Sequence, residues 1–234
     1  MSFILIKGTF HVKGYSPDGD SIRFKADNSA TWKKLSGPAV GLNARGHAQL
    51  RMEAIDALET HYEGFHQPMK LAKEASRFLQ NNLGIDDVVW DEATSTVTKA
   101  KDGTKGYILS RNTEKYRRPV AFVYAGDTDM KDGSYIVLDD EMLKDSLNYN
   151  LLAKGFAYPT YYNGLFSDLR TVLSQAMTTA KNEGKGFWPY DKTTSGFSVS
   201  NPDDLTDEIA VLPKLFRRII DYVGCGGDIE GFKK

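Results

Sequence analysis

The sequence predicts an α+β protein that contains a small barrel or a curled β-sheet. Two observations lead to this prediction: short β-friendly stretches dominate the first part of the chain, and longer stretches with helical spacing follow. The chain has 234 residues, of which 41% are hydrophobic and 26% are charged. These are ordinary values for a globular protein, so a wholly disordered or collagen-like chain is excluded.

Charge and cysteine content limit the classes of function. The formal net charge is −1, so any nucleic-acid site has to be a local basic surface. Cys225 is the single cysteine, which excludes an internal disulfide framework and a cysteine zinc site. No apolar run approaches the ~18–20 residues of a membrane span, and no basic segment of a signal peptide precedes the first apolar residues. We therefore expect a cytoplasmic protein without membrane association.

The amino-terminal part is predicted to contain three strands. These strands lie at residues 9–15, 21–26 and 48–55, and a long polar loop covers residues 27–47. Apolar and charged residues alternate along the third strand, which puts Arg51 and Glu53 on the face opposite Leu50, Met52 and Ala54.

The remaining elements are mainly helices. Helices are predicted at residues 68–83, 142–154, 165–182 and 211–223, turn-rich β-structure at 88–111, and a further strand at 119–125. Pro68 suits the first turn of a helix, and Gly84, Gly155 and Gly184 mark three helix ends. A polar linker follows Asp191, so the chain divides into a domain of residues 1–191 and a C-terminal extension of residues 192–234.

Three carboxylates are expected to meet at one rim of the sheet. Asp20 begins the second predicted strand and Asp56 ends the third, so antiparallel pairing would place them side by side, with Glu59 close by. Clustered carboxylates repel one another, and such a cluster has a raised pKa or a bound cation. Oxygen ligands suit Ca²⁺ or Mg²⁺. Taken singly, the residues also fit a simpler interpretation, in which DGD is a hairpin turn and Asp56 a cap.

Two arginines are expected near the same rim. Arg51 lies on the strand that leads to Asp56, and Arg118 precedes the strand at 119–125. Guanidinium groups directed at a carboxylate site are suited to a phosphate, whereas either arginine alone fits a surface ion pair. The sequence contains no HExxH, no GxSxG and no phosphate-binding loop ending in Gly-Lys-Ser/Thr.

Five segments, in this order, resemble the staphylococcal-nuclease-like (thermonuclease) family: DGDSIRF, QLRMEAIDALET, EKYRRPVAFVY, LLAKGFAYPTYY and AKNEGKGFWPYD. The resemblance covers about residues 1–191, with insertions at 27–47 and near 90–105 and 127–140. It implies a five-stranded OB-like β-barrel with three helices. It also implies a Ca²⁺-dependent phosphodiesterase, a nuclease that hydrolyses DNA and/or RNA. Because such a site would recognise bases by stacking, we expect single-stranded DNA or RNA as substrate.

The resemblance assigns a role to each matching position. It implies metal ligation by Asp20, Asp56 and the backbone carbonyl of Ala57; phosphate contacts by Arg51 and Arg118; activation of water by Glu59 as general base; and a nucleotide pocket lined by Lys115, Tyr116 and Tyr161. The metal that it implies is Ca²⁺ rather than Mg²⁺.

The sequence departs from the family pattern next to the site. Ala57 stands where the family has a threonine but offers the same carbonyl, and Leu58 replaces a proline. Arg117 and Pro119 stand where the family often has glycines. The alternative function is a non-catalytic OB-fold module that binds nucleic acid or acts as an adaptor. The three carboxylates favour the enzyme, because a pure binder gains nothing from negative charges that face a polyanion.

Overall fold

The computed structural model describes residues 2–91, 93–162, 164–197, 203–207 and 209–227. The strands are β1 Phe3–His11, β2 Ser21–Ala26, β3 Ala48–Met52, β4 Ile55–Ala57, β5 Asp86–Asp91, β6 Thr96–Lys101, β7 Thr104–Thr113, β8 Pro119–Ala125, β9 Tyr135–Ile136 and β10 Ala157–Pro159. The helices are α1 Met69–Asn82, α2 Asp140–Asp145, α3 Leu147–Ala153, α4 Ser167–Asn182, α5 Asp204–Asp207 and α6 Pro213–Gly224. Part of the predicted linker, residues 198–202, lies outside the described residues. In the described part of the chain, no helix is both long and apolar enough to cross a membrane.

Five strands close into a barrel. The order is β2-β3-β8-β7-β1, and β1 pairs with β2 to complete the ring. The neighbours are antiparallel except β3 and β8, which run parallel. The short strand β9 extends the sheet beside β1. The predicted α+β fold with a five-stranded OB-like barrel is confirmed.

Strand β1 begins earlier than the sequence pattern predicted. Its first four residues, Phe3, Ile4, Leu5 and Ile6, are all buried in the main core, so the alternation that marks a half-exposed strand is missing there. The predicted strand at residues 9–15 is therefore the end of a longer strand, which stops at His11.

The predicted strand at residues 48–55 is divided by a sharp corner. Ala54 has a φ of 70°, in the left-handed region that non-glycine residues seldom adopt, and β4 then leaves the barrel to pair with β10. Glu53, expected on the polar face, is buried at this corner. The Asn148 amide of α3 holds the corner: it donates to the carbonyls of Glu53 (2.8 Å) and Ala121 (3.0 Å) and accepts from the Val123 N–H.

The helix predicted at residues 142–154 is two helices. Ser146 has extended backbone (φ −67°, ψ 145°), and its hydroxyl accepts a hydrogen bond from the Tyr149 N–H at 3.2 Å, which caps α3. The helical spacing of apolar residues continues across this break, so the sequence pattern did not reveal it. The predicted helices at 68–83, 165–182 and 211–223 correspond to α1, α4 and α6.

The C-terminal extension folds back onto the loop between β4 and α1. Phe216, Ile219 and Ile220 of α6 form a buried cluster that also contacts Tyr62 and Phe65 of this loop. Just before α6, the Val211 carbonyl accepts a hydrogen bond from the side chain of Gln67 at 2.7 Å. The extension therefore covers the segment of chain that carries Glu59.

Candidate active site

Asp20 enters the site through a tight loop that precedes β2. A Cβ atom on Gly19 would lie 2.5 Å from the Cβ of Ala75 and 2.9 Å from the Cβ of Ala57. The loop lies directly against α1 and β4, and only glycine permits this approach. The short strand β4 also carries Asp56, so the packing of Gly19 brings Asp20 beside Asp56.

Strand pairing brings the two arginines to the same rim. The predicted antiparallel pairing of β2 and β3 is confirmed, with Ser21 opposite Arg51. The Met52 N–H donates to the backbone carbonyl of Asp20 at 3.0 Å, which fixes this end of the pair. Arg51 also lies beside Val120 of β8, and Arg118 directly precedes that strand.

One open pocket of about 470 Å³ collects most of the predicted residues. Those that line it are Asp20, Arg51, Asp56, Glu59, Tyr116 and Arg118. The remaining wall includes Asp18, Tyr62 and four residues of α6, namely Lys214, Arg217, Arg218 and Asp221. Ala57 follows Asp56 on β4.

A second pocket of about 500 Å³ shares Arg51 and Tyr116 with the first. Lys115, Tyr116 and Tyr162 are among the residues that line it. Arg51 donates to the hydroxyl of Tyr162 at 2.6 Å. Tyr161 instead shares a hydrogen bond with Ser174 of α4 at 2.9 Å and packs against the core. The tyrosine at this pocket is thus Tyr162, and the two adjacent tyrosines could not be told apart by residue type.

Arg118 is presented by a tight turn. Its Nε donates to a carboxylate oxygen of Glu114 at 3.1 Å, and its guanidinium carbon lies 5.6 Å from the centre of the Tyr116 ring. Arg117 has a φ of 66°, a left-handed conformation that favours glycine. The chain forms this turn with arginine at a position that glycine would occupy without strain.

Four carboxylates, those of Asp18, Asp20, Asp56 and Glu59, line the 470 Å³ pocket together. Burial, and then the charges of Asp56, Asp18 and Glu59, raise the pKa of Asp20 well above its usual range. Among the described residues, no side chain donates a hydrogen bond to the carboxylate of Asp20. Burial and the charge of Asp18 raise the pKa of Glu59 to about 7. A carboxyl group with this pKa can accept a proton near neutral pH.

Arg217 of α6 binds two of these carboxylates, and sequence reasoning missed it. One guanidinium nitrogen donates to both oxygens of Asp56, at 3.0 and 3.2 Å, and another donates to Glu59. Burial opposes the charge of Arg217, but Asp56 and Glu59 raise its pKa above the usual value. The signal in the sequence was a polar stripe on a predicted amphipathic helix: Lys214, Arg217, Arg218 and Asp221 recur at helical spacing.

Asp18 was also missed. It accepts a hydrogen bond from the hydroxyl of Thr60 and lies 3.6 Å from Nδ1 of His61. It therefore ties the loop before β2 to the loop that carries Glu59. The sequence feature that could have pointed to Asp18 is its position two residues before Asp20 in the same turn.

The donor set suits a hard cation, although Asp56 is already engaged. Asp20, Asp56 and the Ala57 carbonyl offer only oxygen atoms, which Ca²⁺ and Mg²⁺ prefer. Within the described ranges, no three His, Cys, Asp or Glu side chains stand in an arrangement that is ready to hold a metal ion. Both oxygens of Asp56 accept hydrogen bonds from Arg217.

Comparison with known protein families identifies the family of the chain. A family model described as Staphylococcal nuclease homologue matches residues 49–190, more than half of the 234-residue chain. The match includes Arg51, Asp56, Glu59 and Arg118, and it ends before α6. No curated protein matches the chain in sequence. The chain belongs to the staphylococcal nuclease homologue family.

Proposed function

We propose that the protein is a phosphodiesterase that hydrolyses DNA or RNA and depends on a divalent cation, with Ca²⁺ expected rather than Mg²⁺. One observation carries the proposal: a single pocket is lined by Asp20, Asp56 and Glu59 and also by Arg51 and Arg118. Carboxylates alone repel a phosphate and arginines alone only bind it. Together they suit the hydrolysis of a phosphodiester bond.

Each residue has a distinct task in this reaction. Ca²⁺ held by Asp20, Asp56 and the Ala57 carbonyl would supply positive charge to a phosphate oxygen. Glu59, whose pKa is about 7, takes the proton of the attacking water. Arg51 and Arg118 donate hydrogen bonds to the other phosphate oxygens and stabilise the charge that develops in the transition state.

Single strands are the expected substrate. Tyr116 is 67% exposed and Tyr162 is 49% exposed, and both line the pocket beside Arg51. Lys115 lies over the Tyr116 ring, with its ammonium nitrogen 4.8 Å from the ring centre. Exposed aromatic rings next to cations stack on unpaired bases with little sequence preference.

The alternative, a non-catalytic nucleic-acid-binding or adaptor module, is favoured by one observation. Arg217 pairs with both Asp56 and Glu59, so in this arrangement Arg51 and Arg118 face a pocket in which two of the carboxylates are already engaged. A pocket of this charge binds phosphate without hydrolysing it.

Incubation of the full chain with single-stranded DNA and with RNA distinguishes the two functions. We expect cleavage with Ca²⁺, less or none with Mg²⁺, and none in excess chelator. The matched control is Asp20→Asn, which keeps the size of the side chain and removes its charge, and we expect it to be inactive with Ca²⁺. Full cleavage in chelator, by a preparation free of contaminating nuclease, contradicts the cation dependence. Binding without cleavage under every condition supports the alternative module.

A further inference from the structure

Helix α6 has two faces that make different contacts. Its apolar face, Phe216, Ile219 and Ile220, is buried against the loop between β4 and α1. Its polar face lines the pocket through Lys214, Arg217, Arg218 and Asp221. The apolar face fixes the position of the helix, and the polar face is thereby held over the carboxylates.

Of the three cationic side chains on this face, Arg217 makes the ion pairs. The side chain of Asp56 is 3% exposed and that of Glu59 is 13% exposed, so both pairs are shielded from water. Shielded pairs interact more strongly than pairs at the surface. Within the described part of the chain, neither Lys214 nor Arg218 forms an ion pair.

Two further bonds tie the extension to the loop that carries Glu59. The hydroxyl of Tyr62 donates to Asp221 at 2.8 Å, and the side chain of Gln67 donates to the carbonyl of Val211 at 2.7 Å. The helix and the loop therefore form one packed unit. Arg217 reaches the carboxylates as part of this unit and not as an isolated surface side chain.

Arg217 and a divalent cation compete for Asp56. The guanidinium uses both oxygens of the Asp56 carboxylate, and a cation placed there would need the same oxygens. Two positive groups at one carboxylate also repel each other. We propose that Arg217 is a built-in competitor of the divalent cation, so that the C-terminal extension holds the site in an autoinhibited state until the cation displaces the guanidinium. This inference rests on the proposed function, because it takes Asp56 as a ligand of the cation.

The two contacts are linked thermodynamically. If a bound cation weakens the contact between Arg217 and Asp56 by some factor, that contact weakens the binding of the cation by the same factor, because coupling between two sites is reciprocal. Removal of the Arg217 contact should therefore tighten cation binding by about 5- to 150-fold, the usual range of such couplings.

Calorimetric titration of the full chain with CaCl₂, without nucleic acid, tests the inference. The proteins are wild type, Arg217→Gln and the matched control Arg218→Gln, which removes the same charge from the same pocket without breaking an ion pair. We expect Arg217→Gln to bind Ca²⁺ about 5- to 150-fold more tightly than wild type, and Arg218→Gln to stay close to wild type. Equal affinities for wild type and Arg217→Gln overturn the inference and leave the proposed function intact. Absence of Ca²⁺ binding in all three proteins overturns the cation role itself, and the inference with it.

A second measurement on the wild-type chain covers the case in which Arg217→Gln does not fold, since that change leaves two shielded carboxylates without their cation. The side-chain Nε–H signal of Arg217 is followed by ¹⁵N NMR and is assigned by its loss in Arg217→Lys. Addition of Ca²⁺ should shift this signal and speed its exchange with water. An unchanged signal at saturating Ca²⁺ overturns the inference.

Discussion

Arg51 and Arg118 on the barrel and Arg217 on α6 line the same pocket, but they bind different partners. Arg51 is bonded to the hydroxyl of Tyr162, and Arg118 is bonded to Glu114, so neither contacts a predicted cation ligand. Arg217 contacts Asp56 and Glu59 together. The barrel arginines therefore match a role toward phosphate, and the helix arginine matches a role toward the carboxylates.

The difference teaches that one site can be assembled from two parts of the chain that lie far apart in sequence. The barrel arginines lie inside the family match at residues 49–190, and Arg217 lies outside it. The match therefore includes the two barrel arginines and excludes Arg217, which balances the charge of Asp56 and Glu59. Substitutions can test whether the barrel arginines and Arg217 act independently.

The largest expected effect is at Glu59, where the two sets meet. Replacement of Glu59 by Gln keeps the size of the side chain and removes the proton acceptor. Turnover should fall by about 10²–10⁴-fold, the usual contribution of a general base, while nucleic-acid affinity stays level or rises slightly. Steady-state kinetics and a binding titration measure the two quantities. The matched control is Glu63→Gln, an exposed residue on the same loop, which should behave as wild type.

Near-normal turnover of a folded Glu59→Gln protein that still binds metal would show that another group activates the water. The Leu58 position, where the family has a proline, would then be the first place to look for a changed loop.

A smaller loss of rate is expected when a barrel arginine is removed. Arg51→Gln deletes a donor to the phosphate, and loss of one such donor typically lowers the rate by about 10²–10³-fold. Arg51→Gln should change Ca²⁺ affinity no more than Arg218→Gln does, whereas Arg217→Gln should increase it. Cleavage kinetics and calorimetry check the two statements, with Arg77→Gln on the exposed face of α1 as control. Tighter Ca²⁺ binding by Arg51→Gln would break the distinction between the two sets of arginines.

The docking of α6 is the next target. Phe216 is fully buried, and Phe→Ala changes in cores typically cost about 3–5 kcal/mol. We expect Phe216→Ala to detach α6, because this cost falls on the contact between the extension and the loop at residues 58–67. Limited proteolysis should then cut the extension faster, while a chain that lacks residues 193–234 still unfolds cooperatively on heating. Loss of cooperative unfolding in the shortened chain would show that the extension belongs to the core.

The smallest expected effect is the pH dependence of stability that His47 of the barrel contributes. Burial and the charge of His11 lower the pKa of His47 to about 4 from its ordinary 6.5. As the pH falls, His47 is protonated in the unfolded chain near pH 6.5 but in the folded chain only near pH 4. The folded state is therefore fully favoured above pH 6.5, and this contribution to the free energy of unfolding is lost as the pH falls toward 4. Urea unfolding at a series of pH values measures this loss, which should be smaller in His47→Gln and unchanged by removal of residues 193–234. A pH dependence that disappears with the extension would contradict its assignment to the barrel.

Local patterns predicted most of the barrel. Alternation and turn residues located β2, β7 and β8, and antiparallel pairing of β2 with β3 was enough to bring Asp20 and Arg51 to one rim. The corner at Ala54 was not predictable, because its left-handed backbone depends on the packing of Asn148 from a distant helix. The break at Ser146 was hidden, because the apolar spacing continues through it.

The site residues on the barrel rim were predictable from strand pairing and from the resemblance to the family. Neighbouring residues of the same type could not be told apart, as with Tyr161 and Tyr162. Arg217 could not be assigned, because its partners lie more than 150 residues earlier in the chain, at Asp56 and Glu59. Only the tertiary fold shows which surface the polar stripe of α6 faces.

The Asn148 amide has a consequence for the order of events during synthesis. It joins the corner at Glu53 to a residue 95 positions later in the chain, and it also holds Ala121 and Val123 of β8. A growing chain therefore cannot complete the rim that carries Arg51 until residue 148 has left the ribosome and docked. Arg217 emerges well after that point. We expect a newly made chain to pass through an interval in which the carboxylates are assembled and still accessible, before the guanidinium arrives to cover them.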